Sequence, residues 1–204
     1  MKKHLILTLL FITLLVSSCG KKQIARKYYM IALATPAAVD TLSIDMNFDY
    51  RVDIRDFRVA RAFDQTRIAM RTETHELKYF YYHHWAVKPA YAIGDMVYDI
   101  FEQKQIFRYI SRGLSYNPDY IITGEVRNLE RVQNKSEDQV HVHLIFRLEQ
   151  AGNVGRVLVR LDADVTRIMQ KDQSMNRFAA IVSDIIFESS IDFMDKVSEH
   201  FRQQ

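Results

Sequence analysis

The stretch Val140-His141-Val142-His143-Leu144-Ile145-Phe146-Arg147-Leu148-Glu149 decides the fold of this chain. Its apolar side chains fall on every second position, which is the period of a β-strand that buries one face and exposes the other. The inward row comprises Val140, Val142, Leu144, Phe146 and Leu148, and the outward row comprises His141, His143, Arg147 and Glu149. The pattern therefore predicts a strand in a sheet that has one covered face.

The segments on either side of this strand have the same character. Residues 120–132 begin with an apolar run, and residues 157–165 alternate between apolar and charged positions. A charged loop at 134–138 and a turn with two glycines at 152–155 separate the three segments, which is typical of strands joined by short connections. We therefore expect an antiparallel meander.

The amino-terminal half predicts further strands. Residues 28–33 predict a first strand, and residues 41–60 predict a long second one. The apolar parity of the second strand changes between Ile54 and Phe57. We expect a bulge or break at 55–56, because a slip of one residue turns the side chains to the other face.

The remaining periodic segments complete a single domain over residues 28–204. Residues 67–71 and 76–83 predict a hairpin. Residues 90–110 and 174–201 carry apolar side chains at helical spacing and predict two amphipathic helices. The expected fold class is α/β, in the α+β sense: a two-layer domain with a mixed or antiparallel sheet of about 6–7 strands packed against the two helices.

The amino terminus carries a lipoprotein signal. Two lysines precede Leu5–Val16, an apolar run that is shorter than the roughly 20 residues needed to span a bilayer and fits the core of a signal peptide. Small residues then lead to Cys19, the only cysteine of the chain, so we expect removal of residues 1–18 and acylation of Cys19. The alternatives are an ordinary secretory signal with a chance cysteine, and a short transmembrane anchor.

Residues 19–27 form the predicted lipidated tether. Fully extended, residues 20–27 reach at most about 28 Å, so the domain should lie close to the membrane. Each buried CH2 of an acyl chain contributes about 0.8 kcal/mol, and two or more chains hold a protein firmly. Gly20 after the cysteine resembles the signal of outer-membrane lipoproteins, so we expect a periplasm-facing, lipid-anchored protein of the outer membrane in a Gram-negative-type bacterium. No cofactor is expected beyond the covalent lipid on Cys19.

The charge balance argues against nucleic acid as a partner. Removal of Lys2 and Lys3 with the signal lowers the formal net charge from +3 to +1, whereas nucleic-acid binding calls for a clustered basic face. A near-neutral domain does not offer such a face.

Three pairs of residues are candidates for chemistry. His141 and His143 share a strand face, as metal ligands can, but a zinc site needs at least three protein ligands. Asp162 and Asp164 could form the carboxylate pair of a glycosidase, although carboxylates on the outer face of a meander usually keep it soluble. The adjacent His83-His84 point to opposite faces of a strand. We therefore expect neither a metal site nor an enzyme.

The strand at 76–83 has aromatic residues on both faces. Tyr81 falls on one face, and Phe80 and Tyr82 fall on the other. Either both faces are covered by the domain, or one of them is a patch that binds a partner. Core packing is the simpler interpretation, and Phe80, Tyr82 and Trp85 form the candidate partner interface.

Three blocks of sequence resemble a known family. They are Val59–Thr72 (VARAFDQTRIAMRT), Glu76–Pro89 (ELKYFYYHHWAVKP) and Asp119–Val126 (DYIITGEV). Together with the lipoprotein signal, they resemble the ABC-type transport auxiliary lipoprotein component family, which includes the PqiC-type lipoproteins. The block of arginine, aromatic residues, tryptophan and proline carries the most specific part of the likeness.

The resemblance implies a function that the residues alone do not. It implies a non-catalytic docking component of an MCE-type ABC transporter that moves phospholipid or other hydrophobic molecules between membranes. The implied partners are an MCE-domain protein with its ABC permease and ATPase, and a homo-oligomer is a further expectation. Two other classes stay open: a lipoprotein chaperone or plug for lipopolysaccharide or outer-membrane barrel assembly, and a periplasmic lipid-binding carrier.

Overall fold

The computed structural model describes residues 25–32, 47–72, 75–113, 117–134, 137–153, 155–170 and 173–203. The predicted signal, Cys19 and most of the predicted tether lie outside the described residues, as do residues 41–46 of the predicted second strand. The elements in chain order are β1 (Lys27–Tyr29), β2 (Phe48–Ile54), β3 (Arg58–Val59), β4 (Arg67–Arg71), β5 (Leu77–Trp85), α1 (Pro89–Lys104), β6 (Phe107–Arg112), β7 (Tyr120–Gln133), β8 (Asp138–Gln150), β9 (Val157–Met169) and α2 (Met175–Arg202).

The sheet is arranged around β7. On one side of β7, β8 pairs with it antiparallel along its length, and β9 pairs antiparallel with β8. On the other side β2, β3 and β4 follow one another, each parallel to β7, at Tyr120–Ile122, Glu125–Val126 and Glu130–Val132. The predicted antiparallel meander is thus confirmed, and the sheet as a whole is mixed.

Three more strands extend the second side of β7 into two lobes, one formed by β2 and β6 and the other by β4, β5 and β1. β6 lies parallel to β2, β5 lies antiparallel to β4, and β1 lies parallel to β5. β1 and β9 therefore form the opposite edges of the row β1-β5-β4-β7-β8-β9, while β6 is the edge of the other lobe. Tyr120 and Glu130 lie ten residues apart on β7, so the two lobes are displaced along this strand by about 33 Å.

The predicted break in the second strand is confirmed. β2 ends at Ile54 and β3 begins at Arg58, and the buried Phe57 lies between them. A Cβ atom added to Gly124 of β7 would lie only 1.9 Å from Cε1 of the Phe57 ring. The ring also packs edge-on against Phe146, with the centroids 5.4 Å apart. The strand is interrupted where Phe57 enters the core above a glycine.

Two predicted element boundaries are wrong. The helix predicted over 90–110 is α1, which ends at Lys104, after which Gln105 adopts the left-handed conformation with φ at 49°. Residues 107–112 form the strand β6 beside β2. The sequence pattern predicts helix here because Phe107 and Ile110 fit a helical period as well as a strand. The first strand is also shorter than predicted, since β1 ends at Tyr29.

The described residues form a sheet of nine strands instead of about 6–7. The difference has two causes: the predicted second strand divides into β2 and β3, and the last part of the predicted first helix is the strand β6.

The two helices pack on the sheet and on each other to form the second layer. α2 begins after Ser174, whose hydroxyl accepts a hydrogen bond from the backbone amide of Arg177 at 3.3 Å. Phe193 of α2 stacks on Phe146 of β8 with the centroids 5.2 Å apart. Within the described part of the chain, no helix is both long enough and apolar enough to cross a membrane. The predicted two-layer α+β domain is confirmed.

Candidate interaction surfaces

A bulge in β5 shapes the surface beside the edge strand β1. Ala69 of β4 pairs with Tyr79 of β5, and the next pair along the ladder joins Arg67 to His84. Between these pairs β4 advances by two residues and β5 by five, so β5 accommodates three extra residues. Such bulges bend a strand and redirect its side chains. The extra residues fall within the aromatic run that follows Tyr79.

Three exposed tyrosines lie at and beside this bulge, two on β5 and one on the neighbouring β1. Tyr81 is 70% exposed, and its ring meets that of Tyr82, which is 37% exposed, at 4.8 Å in a T-shaped contact. Tyr28 of β1 is 61% exposed, and its ring lies 5.8 Å from that of His84. His84 therefore contacts both strands' tyrosines: its ring lies beside Tyr28, and its Nε2 donates a hydrogen bond to the backbone carbonyl oxygen of Tyr81 at 3.1 Å. We call Tyr28, Tyr81 and Tyr82 the tyrosine surface.

The residues of the predicted interface do not form one surface. Trp85 is only 2% exposed and packs against Phe178 of α2, with the rings 5.9 Å apart. Phe80 is half-buried and meets the His83 ring edge-on at 5.5 Å. Tyr82 is the member of the predicted set that is open to solvent. The role of Phe80, Tyr82 and Trp85 as an interface stays a prediction.

Sequence reasoning missed Tyr81, the most exposed aromatic residue of the three. Strict alternation placed it in the same row as Tyr79, but the bulge lies between those two residues and breaks the alternation. The aromatic run from Tyr79 to Tyr82 hides the change of face, because each of its four side chains is apolar enough to be buried. A run of aromatic residues on both faces of one strand was the only available signal.

Tyr29 of β1 and His83 of β5 link these two strands through their side chains. The hydroxyl of Tyr29 lies 2.8 Å from Nδ1 of His83, and the two rings are 5.6 Å apart. Burial lowers the pKa of His83, and the nearby charge of Lys27 lowers it further. The two adjacent histidines thus serve different contacts, in agreement with the expectation that they point to opposite faces.

An open apolar cleft lies where the chain leaves β1 and passes α1. Its volume is about 370 Å³, and it is lined by Met30, Ile31, Ala32, Val87, Ala92, Asp95, Met96, Asp99 and Gln103. Met30 and Val87 are exposed at its mouth. Burial raises the pKa of Asp99, and the neighbouring carboxylates of Asp95 and Glu102 raise it further. The cleft thus combines an apolar floor with an acidic side. We call it the β1–α1 cleft.

A polar cavity lies at the carboxyl ends of β2 and β6. The Arg112 guanidinium bonds to Asp56 at 2.6 Å, to Asp95 at 3.1 Å and to the carbonyl oxygen of Ile54 at 3.3 Å. Gly94 makes room for it, since a Cβ atom there would lie 2.3 Å from Nη2 of Arg112. The arginine therefore joins β2, β6 and α1, and its bonds are made within the fold.

The histidines and aspartates of the meander bind one another. His141 Nε2 lies 2.8 Å from an oxygen of Asp164, and His143 Nε2 lies 2.6 Å from an oxygen of Asp162. Arg160 binds Asp162 at 2.7 Å, and this bond, followed by that of His143, lowers the pKa of Asp162. Across the described residues, no group of three or more His, Cys, Asp and Glu side chains could hold a metal ion.

A buried carboxylate lies beneath this network. Glu130 of β7 accepts hydrogen bonds from Arg71 at 3.0 Å and lies 3.4 Å from Nδ1 of His141. Burial alone would raise the pKa of Glu130, but the bonds from His141 and Arg71 outweigh it and lower the pKa. In return, the hydrogen bond to Glu130 raises the pKa of His141, with Asp164 adding to the effect. These residues hold β4, β7, β8 and β9 together on the outer face of the sheet.

Comparison with known proteins identifies the family. The family model of the ABC-type transport auxiliary lipoprotein component matches residues 32–185, and the chain belongs to this family. Curated protein sequences contain no match to the chain.

Two solved structures have a similar fold. A DUF330 protein from Xanthomonas campestris is 18% identical, with a TM-score of 0.69 over 87% of this chain and 99% of its own. A crystal structure described only as that of an uncharacterized protein is 8% identical, with a TM-score of 0.59 over 84% of this chain and 98% of its own. At these identities the likeness establishes the fold alone.

Proposed function

We propose that this lipoprotein is the non-catalytic docking component of an ABC transport system that moves phospholipid or other hydrophobic molecules between membranes. It is held in the outer membrane through acyl chains on Cys19. It receives an MCE-domain protein, which works with an ABC permease and its ATPase. Family membership over residues 32–185 supports the transport role, and the signal that ends at Cys19 supports the anchor.

The β1–α1 cleft is the observation that carries the docking role. It is open, its floor is apolar, and Met30 and Val87 remain exposed beside it. Exposed apolar surface of this kind marks interaction sites in folded proteins. The cleft also adjoins β1, the edge strand that follows the tether, so a partner bound there would be held close to the outer membrane.

The contacts of the charged residues favour docking over catalysis. The histidines and carboxylates of the meander bond to one another on the outer face of the sheet, and Arg112 is held by its own neighbours. A catalytic group must reach a substrate atom in a cavity. The meander side chains line neither of the cavities described above, and the guanidinium of Arg112, which does line one, is paired with Asp56 and Asp95.

Crosslinking in cells tests the docking role. A photoreactive amino acid replaces Val87 at the β1–α1 cleft or, as the control, the exposed Ile168 on β9 at the opposite edge of the sheet. We expect irradiation to join the Val87 position to the MCE-domain protein and to leave the Ile168 position without this adduct. Equal yields from both positions, or no MCE adduct at Val87, would contradict docking at this cleft.

The same cleft favours one alternative, a lipid-binding carrier. At about 370 Å³ it lies at the small end of the roughly 300–1,000 Å³ that ligand pockets span. It could therefore take part of an acyl chain more readily than a whole phospholipid. Native mass spectrometry of the purified protein distinguishes the two: a carrier retains lipid in addition to that on Cys19, and a docking protein does not.

A further inference from the structure

We propose that the tyrosine surface is a membrane-contact site that seats the domain directly on the phospholipid headgroups. Tyr28, Tyr81 and Tyr82 form this site together with the basic pair Arg26 and Lys27. The inference rests on the proposed acylation of Cys19, and it adds a second attachment point that fixes which side of the domain faces the bilayer.

The length of the tether decides which surface can reach the lipid. The chain between Cys19 and the first residue of β1 reaches at most about 28 Å even when fully extended. Tyr28 lies in β1, and its ring is next to that of His84, which donates a hydrogen bond to the backbone carbonyl oxygen of Tyr81. β1 is moreover an edge strand, with β5 as its only partner in the described sheet. The tether therefore keeps β1, and with it the tyrosine surface, within about 28 Å of the membrane.

The chemistry of this surface suits a bilayer interface. Tyrosine has an apolar ring and a polar hydroxyl, and it is enriched at the level of the lipid headgroups for that reason. Arg26 and Lys27 are exposed beside it, and a basic residue near an anionic leaflet contributes about 1 kcal/mol. The sequence adds Lys21 and Lys22 within the tether. Aromatic and basic residues thus meet at the end of the domain that is nearest to the lipid.

The bulge explains why these rings are available. A regular β5 would place Tyr81 in the same row as Tyr79, on one face of a paired strand. The three extra residues instead leave Tyr81 70% exposed, with Tyr82 against it. Exposed aromatic rings that lie next to one another mark an interaction site more often than single exposed residues do. Because the tether holds β1 close to the membrane, the phospholipid surface is the partner within reach of these rings.

The chain offers a matched control on the other lobe. Tyr109 of β6 is 50% exposed, and the guanidinium groups of Arg51 and Arg108 lie 5.9 Å and 5.4 Å from the centre of its ring. Its chemistry therefore resembles that of the tyrosine surface. The two lobes are displaced along β7 by about 33 Å, so a domain that is seated through the tyrosine surface is expected to hold Tyr109 away from the lipid.

The experiment uses the acylated protein in vesicles. Because acylation consumes Cys19, a Tyr81→Cys substitution introduces the only free thiol, which is labelled with an environment-sensitive fluorophore. Tyr28→Cys gives an independent second probe, and Tyr109→Cys is the control. The labelled proteins are reconstituted in phosphatidylethanolamine vesicles with or without phosphatidylglycerol, including a lipid that carries a quencher near its headgroup.

We expect quenching at positions 81 and 28 to exceed that at position 109 by at least about twofold, and to fall when phosphatidylglycerol is omitted. If the protein floats with the vesicles but quenching is equal at positions 81 and 109, the proposed membrane contact of the tyrosine surface is wrong, while the anchor at Cys19 is unaffected. If the tyrosine surface binds a protein instead of lipid, quenching at positions 81 and 109 would likewise be equal. Protein that does not float with the vesicles contradicts the anchor itself, and the membrane seat fails with it.

Discussion

Gly124 is the residue at which the smallest change should have a large effect. An added methyl group would overlap the buried ring of Phe57, whose Cε1 lies 1.9 Å from the position of the new Cβ. Alanine is normally better than glycine in a strand, but overpacking a core costs about 1–3 kcal/mol. We therefore expect Gly124→Ala to lower the free energy of unfolding by that amount in urea titrations.

A double substitution supplies the control for Gly124. Replacing Phe57 with leucine removes the ring, so Gly124→Ala should cost less in the Phe57→Leu background than in the wild type. A Gly124→Ala protein as stable as the wild type would show that the ring does not lie over this glycine.

The His141–Glu130 contact predicts how stability depends on pH. The pKa of His141 is raised in the folded state, above the unfolded value of about 6.5. Its contribution is therefore fully present below about pH 6.5 and is lost as the pH rises through the folded pKa. We expect His141→Gln to cost about 1 kcal/mol near pH 5.5 and less near pH 8. Equal losses at both pH values in thermal unfolding would rule out this contact as the cause.

At the scale of elements, a buried ion pair ties the β7–β8 hairpin to α2. Nε of Arg131 donates to Asp138 at 2.8 Å, and Nη1 lies 3.3 Å from the sulfur of Met175. Removing one partner of a buried pair costs about 3–5 kcal/mol, because the other charge stays buried without compensation. We expect Asp138→Leu to be destabilising by this amount in urea.

The Arg131→Met/Asp138→Leu double variant separates charge from packing. Replacement of both partners by apolar residues is often close to neutral, so the double variant should be more stable than Asp138→Leu alone. If both proteins are equally unstable, the loss comes from packing and the ion-pair explanation is wrong.

The end of α1 offers a stabilising change. Gln105 has a φ of 49°, in the left-handed region that glycine adopts without strain. We expect Gln105→Gly to raise the melting temperature slightly, corresponding to about 0.5–1 kcal/mol. Gln103→Gly, within the last helical turn, should lower it by a similar amount. A lowered melting temperature for Gln105→Gly would contradict the helix end described here.

The same elements show what could be predicted from the sequence. The meander was predictable because its strands have one buried face, and Val140, Val142 and Leu144 report that face through strict alternation. The strand β6 was not predictable, because Phe107 and Ile110 continue the apolar pattern of the helix before them. The pairing of β6 with β2 is a long-range contact that local periodicity does not reveal.

The candidate surfaces were only partly predictable. Phe80 and Tyr82 indicate the strand that carries the exposed rings, but Trp85 belongs to the core and strict alternation puts Tyr81 in the wrong row. The bulge that exposes Tyr81 depends on the register of β5 against β4, which no property of β5 alone determines. Cys19 lies outside the described residues, so its acylation stays a prediction from the sequence.

At the scale of the whole molecule, the anchor makes a separate prediction. Cys19→Ser removes the thiol that receives the diacylglycerol, and with it the acyl chains that stable anchoring requires. We expect the variant to leave the outer-membrane fraction when cell membranes are separated by density. A Cys19→Ser protein that still sediments with the outer membrane would show that something other than the lipid holds it.

Co-purification tests the central claim most directly. The acylated protein, carrying an affinity tag at its carboxyl terminus, is isolated from mildly solubilised cell envelopes, and its partners are identified by mass spectrometry. A docking component of lipid transport predicts that an MCE-domain protein is recovered with it, together with the permease and the ATPase. Recovery of the lipoprotein with an outer-membrane barrel protein, and without any MCE-domain protein, would contradict the proposed function.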